Sequence, residues 1–164
     1  MDILDISLFF SILLSALVTG FILTYAIVIM PGLSNFDDKE FIKVFQVTDG
    51  IIQNNQPIFI LIWVGSIVSV LSTIITSILT LGMLNAWLII FVGVVYLLVV
   101  RGITISIHLP LNKSIQNIDI NSSNSETLSK MRKSLETKWN YFNNVRTVVA
   151  FFVVLIFLSI LTIR

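Results

Sequence analysis

The sequence predicts an all-α integral membrane protein: a four-helix bundle with a short amphipathic helix after the first span and a helical extension before the fourth. Three observations carry this. Of 164 residues, 56% are hydrophobic and only 12% are charged, whereas soluble domains hold about 25% charged residues. The apolar residues fall into runs near the ~20 residues that a helix needs to cross a bilayer. There are four such runs, and the polar stretches between them carry helix-capping signals. They fit a single transmembrane domain over residues 1–164, with spans at about 6–30, 57–81, 84–109 and 145–163. A net charge of +1 gives no case for nucleic acid. The absence of cysteine removes disulfides, thiolate metal sites and Cys nucleophiles together.

The first run comes after Met1-Asp2-Ile3-Leu4-Asp5, an acidic start where a cleaved signal peptide has a basic one, so it is expected to be a retained helix. Ser7, Ser11, Ser15 and Thr19 recur every four residues, a small-residue stripe that lets helix backbones approach in lipid. Met30-Pro31-Gly32-Leu33 is expected to stop the helix. Ser34-Asn35 then offers a cap, with Asp37, Asp38 and Glu40 in the first turn of the next helix. Phe41, Val44, Phe45, Ile51 and Ile52 lie mostly on one face of this helix, and Lys39, Lys43, Gln46, Asp49 and Gln53 contribute to the other. It is either an interfacial connector or a lid over a pocket.

The second run opens at Pro57, where a first turn tolerates proline. Gly65, Ser69, Ser72, Thr73, Thr76 and Thr80 form another small stripe, expected to pack against the first run or to support a homo-oligomer. After Gly82-Met83-Leu84-Asn85, the third run continues to Leu109, where Pro110 should end the helix. Residues 112–125 are polar and irregular, and Ser123-x-x-Glu126 matches a capping box. A helix from there through the fourth run spans about 40 residues, or ~60 Å, more than one bilayer. Its first half must project from the membrane or lie along it.

Four spans put both termini on one side. Lys39, Lys43, Lys113, Lys130, Arg132, Lys133 and Lys138 lie in the loops, and only Arg164 lies at a terminus. The positive-inside rule places loops 34–56 and 112–144 in the cytoplasm, and both termini outside the cell membrane. The polar groups then gather at the loop-side end: Tyr25; Asn54 and Asn55; Arg101, Thr104 and His108; Trp139, Asn140, Asn143 and Arg146. Polar groups at membrane depth face the bundle interior and pair there, so a polar cavity is expected under the cytoplasmic face. Each residue also has a plainer role. Arg101 and Arg146 snorkel to headgroups, Trp139 and Tyr141 belong to an interfacial belt, and His108 caps a helix end. One histidine without cysteine makes no metal site.

In order along the chain, Gly20…Tyr25…Met30-Pro31-Gly32-Leu33, Phe41-Ile42…Gln46, Asn54…Pro57, Thr104…His108-Leu109-Pro110-Leu111-Asn112 and Trp139-Asn140…Val145-Arg146-Thr147 resemble the domain of unknown function 1772, the anthrone oxygenase-like family. The likeness covers about Thr19 to Ala150. It implies a small four-helix membrane protein and, by the family's fungal polyketide branch, oxidation of anthrones to anthraquinones without metal or flavin cofactor. Position 108 is His where the pattern more often has Asn. What the resemblance implies here is a cofactor-free monooxygenase acting on a hydrophobic phenolic, anthrone-like ligand. His108 would be its base, and Arg101 and Arg146 would stabilise the anion. Tyr25, Asn54, Thr104, Asn112, Trp139, Asn140 and Asn143 would bind the substrate. The alternative is a non-enzymatic membrane protein that binds lipid or a partner helix, its Lys130-Met131-Arg132-Lys133 stretch meeting anionic headgroups.

Overall fold

The computed structural model describes residues 2–164; Met1 lies outside the described residues. The chain is 87% helix with no strand among those residues. We number five helices: α1 (Ile3–Leu33), α2 (Asp38–Gln53), α3 (Pro57–Leu81), α4 (Trp87–Gln116) and α5 (Ser125–Ile163). All but α2 are long and apolar enough to cross a membrane, which makes this a multi-pass membrane protein. Arg164 pairs with Asp2 at 2.8 Å and Asp5 at 3.1 Å. Both ends of the chain therefore meet at one end of the bundle, and α2 sits at the other.

The small-residue stripes of α1 and α3 face each other. Ser7 and Thr76 hydroxyls meet at 2.7 Å, and those of Ser11 and Thr73 at 2.8 Å. In hydrocarbon, close packing and interhelical hydrogen bonds replace the hydrophobic drive that operates in water. Between α3 and α4, Gly93 plays the same part. A Cβ there would lie 2.8 Å from Ile74 Cδ1 and 2.9 Å from its Cγ1.

The proline expected to end the third span does not, whereas the first span stops at Leu33, within the Met30–Leu33 stretch expected to stop it. α1 continues past Pro31 to Leu33, and α4 continues past Pro110 to Gln116. A proline within a helix has no N–H for the carbonyl four residues back, and its ring collides with that carbonyl. Here each proline comes two residues after a widened π-helical turn, Tyr25–Ile29 before Pro31 and Thr104–His108 before Pro110. The Met30 N–H bonds to Tyr25 and the Leu109 N–H to Thr104, each five residues back. The carbonyls that the prolines would strike, those of Ile27 and Ser106, lie inside these widened turns. A third π turn covers Tyr96–Arg101.

The loop side is a second core rather than a surface fringe. Phe41, Ile42 and Phe45 of α2 are buried with Met30, Leu33, Ile115, Leu128, Leu135 and Trp139. The apolar face of α2 thus rests on the bundle end, and the first half of α5 packs against it. Gln46 donates to the carbonyls of Ile115 and Ile118, and Gln116 donates back to the Gln46 carbonyl. The caps differ from expectation. Asp37 caps α2 through the Glu40 N–H, while Asn35 turns back to the carbonyls of Pro31 and Gly32 that end α1. Asn124, not Ser123, caps α5 through the Thr127 N–H. In both cases the residue nearer the first turn has the better reach.

Arg132 clamps the α1–α2 connection. Its guanidinium donates to the carbonyls of Ser34 (2.9 Å) and Phe36 (2.7 Å), pairs with Asp38 and Glu136, and lies 4.7 Å over the Phe41 ring. Hydrogen bonds to charged groups contribute about 1.5–3 kcal/mol each, and a lysine cannot reproduce a planar fork. Arg132→Ala and Arg132→Lys should both speed amide hydrogen exchange across Asp38–Gln53 by about tenfold or more, with exchange in α3 unchanged. Gly93→Ala should lower thermal stability in detergent by roughly 1–3 kcal/mol, despite alanine's better helix propensity. In a double-mutant cycle, Ile74→Ala should offset part of that loss; simple additivity of the two changes would refute the close contact.

Candidate functional site

At the loop-side end the helices surround a partly open cavity of about 240 Å³. Pockets for drug-sized ligands start near ~300 Å³, so this one suits a small ligand. Every helix contributes to it: Phe21, Ile22 and Tyr25 from α1; Phe45, Asp49, Ile52 and Gln53 from α2; Phe59, Ile60 and Trp63 from α3; Thr104, His108, Leu109 and Asn112 from α4; Trp139 and Arg146 from α5. Asn55, in the α2–α3 connection, completes the rim with a left-handed backbone (φ 62°).

The widened turns set the site. Tyr25 begins the first, Arg101 ends the second, and Thr104 and His108 are the first and last residues of the third. A π turn shifts the register of everything after it, and such turns recur at functional sites.

Arg146 is the wall's fixed cation and is 5% exposed. Its Nε and Nη2 both donate to Asn143 Oδ1, at 3.0 and 2.8 Å, and its Nη1 donates to Thr104 Oγ1 at 2.9 Å. Asn143 is itself fixed by donating to the Ile22 carbonyl at 3.1 Å. Arg101 is 3% exposed and does not line the cavity. It stacks on Trp63, which does, with its guanidinium carbon 4.0 Å from the ring centroid. Its Nη2 donates to Tyr96 Oη at 2.5 Å and to Ser66 Oγ, while Nε and Nη1 have no partner. Among the described residues no carboxylate pairs with either arginine. Both side chains are buried inside the bundle and so do not snorkel to headgroups.

Trp139 is the hub. Its ring meets His108 edge-on at 4.9 Å, Tyr25 at 5.4 Å and Phe45 at 6.1 Å. Its Nε1 donates to Asn112 Oδ1 at 3.0 Å. The Trp139 carbonyl lies 3.3 Å from His108 Nε2, and His108 Nδ1 has no partner. With Nε2 as the donor, Nδ1 holds a free lone pair. His108 does not cap a helix end, because α4 continues beyond it. Trp139, at 3% exposed, is not a belt residue, whereas Tyr141 is 64% exposed.

Asp49 was expected on the polar side of α2 but is 2% exposed in the cavity wall. Asn112 Nδ2 donates to its Oδ1 at 2.6 Å, and Gln116 Nε2 to its Oδ2 at 3.2 Å. Burial pushes its carboxyl above the usual carboxylate range, against the opposing effect of the hydrogen bonds from Gln116, Gln53 and Asn112. A signal for this was present: Asp49 lies four residues after Phe45 and eight after Phe41, the spacing of one helix face.

Of the expected site residues, Tyr25, Thr104, His108, Asn112, Trp139 and Arg146 share the cavity wall. Asn143 and Arg101 brace it from behind. Asn54 is exposed and closes α2, its N–H bonding to the Gly50 carbonyl at 2.9 Å. Asn140 lies in a shallow surface groove with Asp38, Arg132 and Glu136. The face of α5 that carries Trp139, Asn143 and Arg146 turns Asn140 away. Among the described residues no three His, Asp or Glu side chains come together as metal ligands would.

A family model described as anthrone oxygenase matches residues 51–156. No curated protein and no solved structure matches the chain. The matched segment runs from the last turn of α2 into the membrane half of α5 and contains the α3, α4 and α5 walls of the cavity. It covers more than half of the chain, and the chain therefore belongs to the anthrone oxygenase family.

Proposed function

We propose that the cavity binds a flat, hydrophobic phenol of the anthrone type and lets its anion react with O₂, making the protein a cofactor-free monooxygenase. The observation that carries this reading is Arg146: a buried guanidinium in the wall of an aromatic cavity, held by neutral partners and with no carboxylate paired to it. Such a cation stabilises negative charge that develops on a ligand oxygen, most effectively where water is excluded. Phe59, Trp63 and Trp139 line the cavity, and an aromatic lining suits a flat ring system. Family membership supports the substrate class.

The oxidation balances in atoms and electrons. A group in the wall takes a proton from the substrate's acidic CH₂, whose carbon flanks two rings and is conjugated to a carbonyl. The resulting enolate passes one electron to O₂, and the radical and superoxide combine to form a C–O bond. The peroxide oxygen recovers the proton, giving CH–OOH. Loss of the remaining C–H proton breaks the O–O bond and expels hydroxide. The CH₂ has become C=O, and one O₂ has been consumed for one water released. Arg146 holds the enolate oxygen, Thr104 and Asn143 hold Arg146, and Arg101 adds positive potential from behind Trp63. His108, with its free Nδ1, and Asp49 are the two groups in the wall able to take a proton. Tyr25 and Asn112 orient the ligand.

By the positive-inside bias of the loops, the cavity lies beneath the cytoplasmic leaflet, with both termini outside. That position suits a ligand dissolved in the bilayer.

Purified protein in nanodiscs should convert a dihydroxyanthrone to its anthraquinone well above the rate in empty nanodiscs, with one O₂ consumed per product. Arg146→Gln should cut kcat by roughly 10²–10³-fold. Turnover by Arg146→Gln at the wild-type rate would falsify this role for Arg146, and no acceleration by the wild type would remove the whole reading.

A further inference from the structure

We propose that the Asp49 carboxylate, on the helix that roofs the cavity, takes the substrate's proton. This rests on the function proposed above and names the group which that reading leaves open. Asp49 reaches the cavity wall because α2 folds its Phe41–Phe45–Asp49 face onto the bundle end. Both oxygens are held, but only by amide donors, at 2.6 Å from Asn112 and 3.2 Å from Gln116. Each donor is tied in turn, Asn112 to Trp139 and Gln116 to the Gln46 carbonyl. A carboxylate offers about four lone-pair positions, and the bonds from Asn112, Gln116 and Gln53 leave capacity for one more donor. No cation neutralises it among the described residues.

Charge balance separates Asp49 from His108. In the resting cavity, Asp49 is the anion and Arg146 the cation. Proton transfer from substrate to Asp49 moves the negative charge to the substrate, next to Arg146, and leaves a neutral acid behind. The number of charges in the site does not change. Transfer to neutral His108 would instead create a new cation and a new anion in a poorly solvated space, with His108 sharing a wall with Arg146. Creating charge where water is excluded costs much more than relocating it. The raised proton affinity of Asp49 fits an acceptor that must hold a proton briefly. The ionisable groups facing Asp49 are Tyr25 from α1, His108 from α4 and Arg146 from α5, while α3 offers only aromatic and aliphatic side chains.

The proton step can be isolated by leaving out O₂. Under anaerobic conditions, wild-type protein mixed with a dihydroxyanthrone should form the coloured bound enolate. The amplitude should rise with pH through an apparent pKa above the ordinary aspartate value of ~3.9, because the acceptor must be ionised. Asp49→Asn should bind the corresponding dihydroxyanthraquinone, which has no CH₂ to deprotonate, but form enolate ~10²–10⁴-fold more slowly and lose that pH limb. Asp49→Glu, which keeps the carboxylate and displaces it by one methylene, should fall between the two. Enolate formation by Asp49→Asn at the wild-type rate overturns the assignment, and its loss in His108→Ala at the same time would move the role to His108. Wild-type protein that binds the anthraquinone but forms no enolate would instead overturn the proposed function itself.

Discussion

Arg146 is a permanent charge inside a bundle of apolar helices, and its fixation is the constraint on which the rest depends. Placing a guanidinium at the hydrocarbon centre costs at least ~2.5–3.5 kcal/mol on insertion scales. No carboxylate offsets it here. Instead one asparagine oxygen accepts two of its N–H groups, and a threonine hydroxyl accepts a third. These partners satisfy hydrogen bonds without cancelling the charge. Arg146 is therefore left without a bonded counter-charge, the Asp49 carboxylate of the same wall being held by amides instead. Asn143 can serve because the Ile22 carbonyl of α1 holds its amide. The electrostatics of the site thus depend on how α1, α4 and α5 are seated against one another.

That seating depends on the irregular turns. Three π turns interrupt α1 and α4 within the membrane-spanning segments, and two of them absorb a proline that would otherwise break the helix. Each widened turn adds a residue to the helical register and rotates the residues beyond it. Tyr25, Arg101, Thr104 and His108 all sit at the boundaries of these turns. The same devices carry α1 and α4 beyond the bundle, so that their ends can pack with α2 and the start of α5. The second core and the site are consequences of one local adjustment made twice.

Much of the architecture is legible in the chain itself. Four spans, a helix after the first and a long fourth helix come from run lengths and capping residues, which are local. The facing of the Ser7–Ser11 and Thr73–Thr76 stripes comes from three- and four-residue spacing. The gathering of Thr104, His108, Trp139 and Arg146 at one end comes from counting spans. Asn54 and Asn140 share that end but not the cavity, because being at one end of a bundle does not set the direction of a side chain. Pro110 misled because a helix-breaking rule assumes an α-helical ladder, and a π turn supplies a different one.

Composition and periodicity alone determined that this chain crosses a membrane four times, with its polar side chains collected at the loop-side end. Bilayer thickness and helical rise leave little else possible for runs of that length. Only the tertiary structure decided that Arg101 stands behind Trp63 rather than in the cavity, that α2 roofs the bundle, and that Asp49 turns inward to meet Asn112 and Gln116. Those outcomes depend on contacts between residues some 35 to 70 positions apart, which no local pattern specifies.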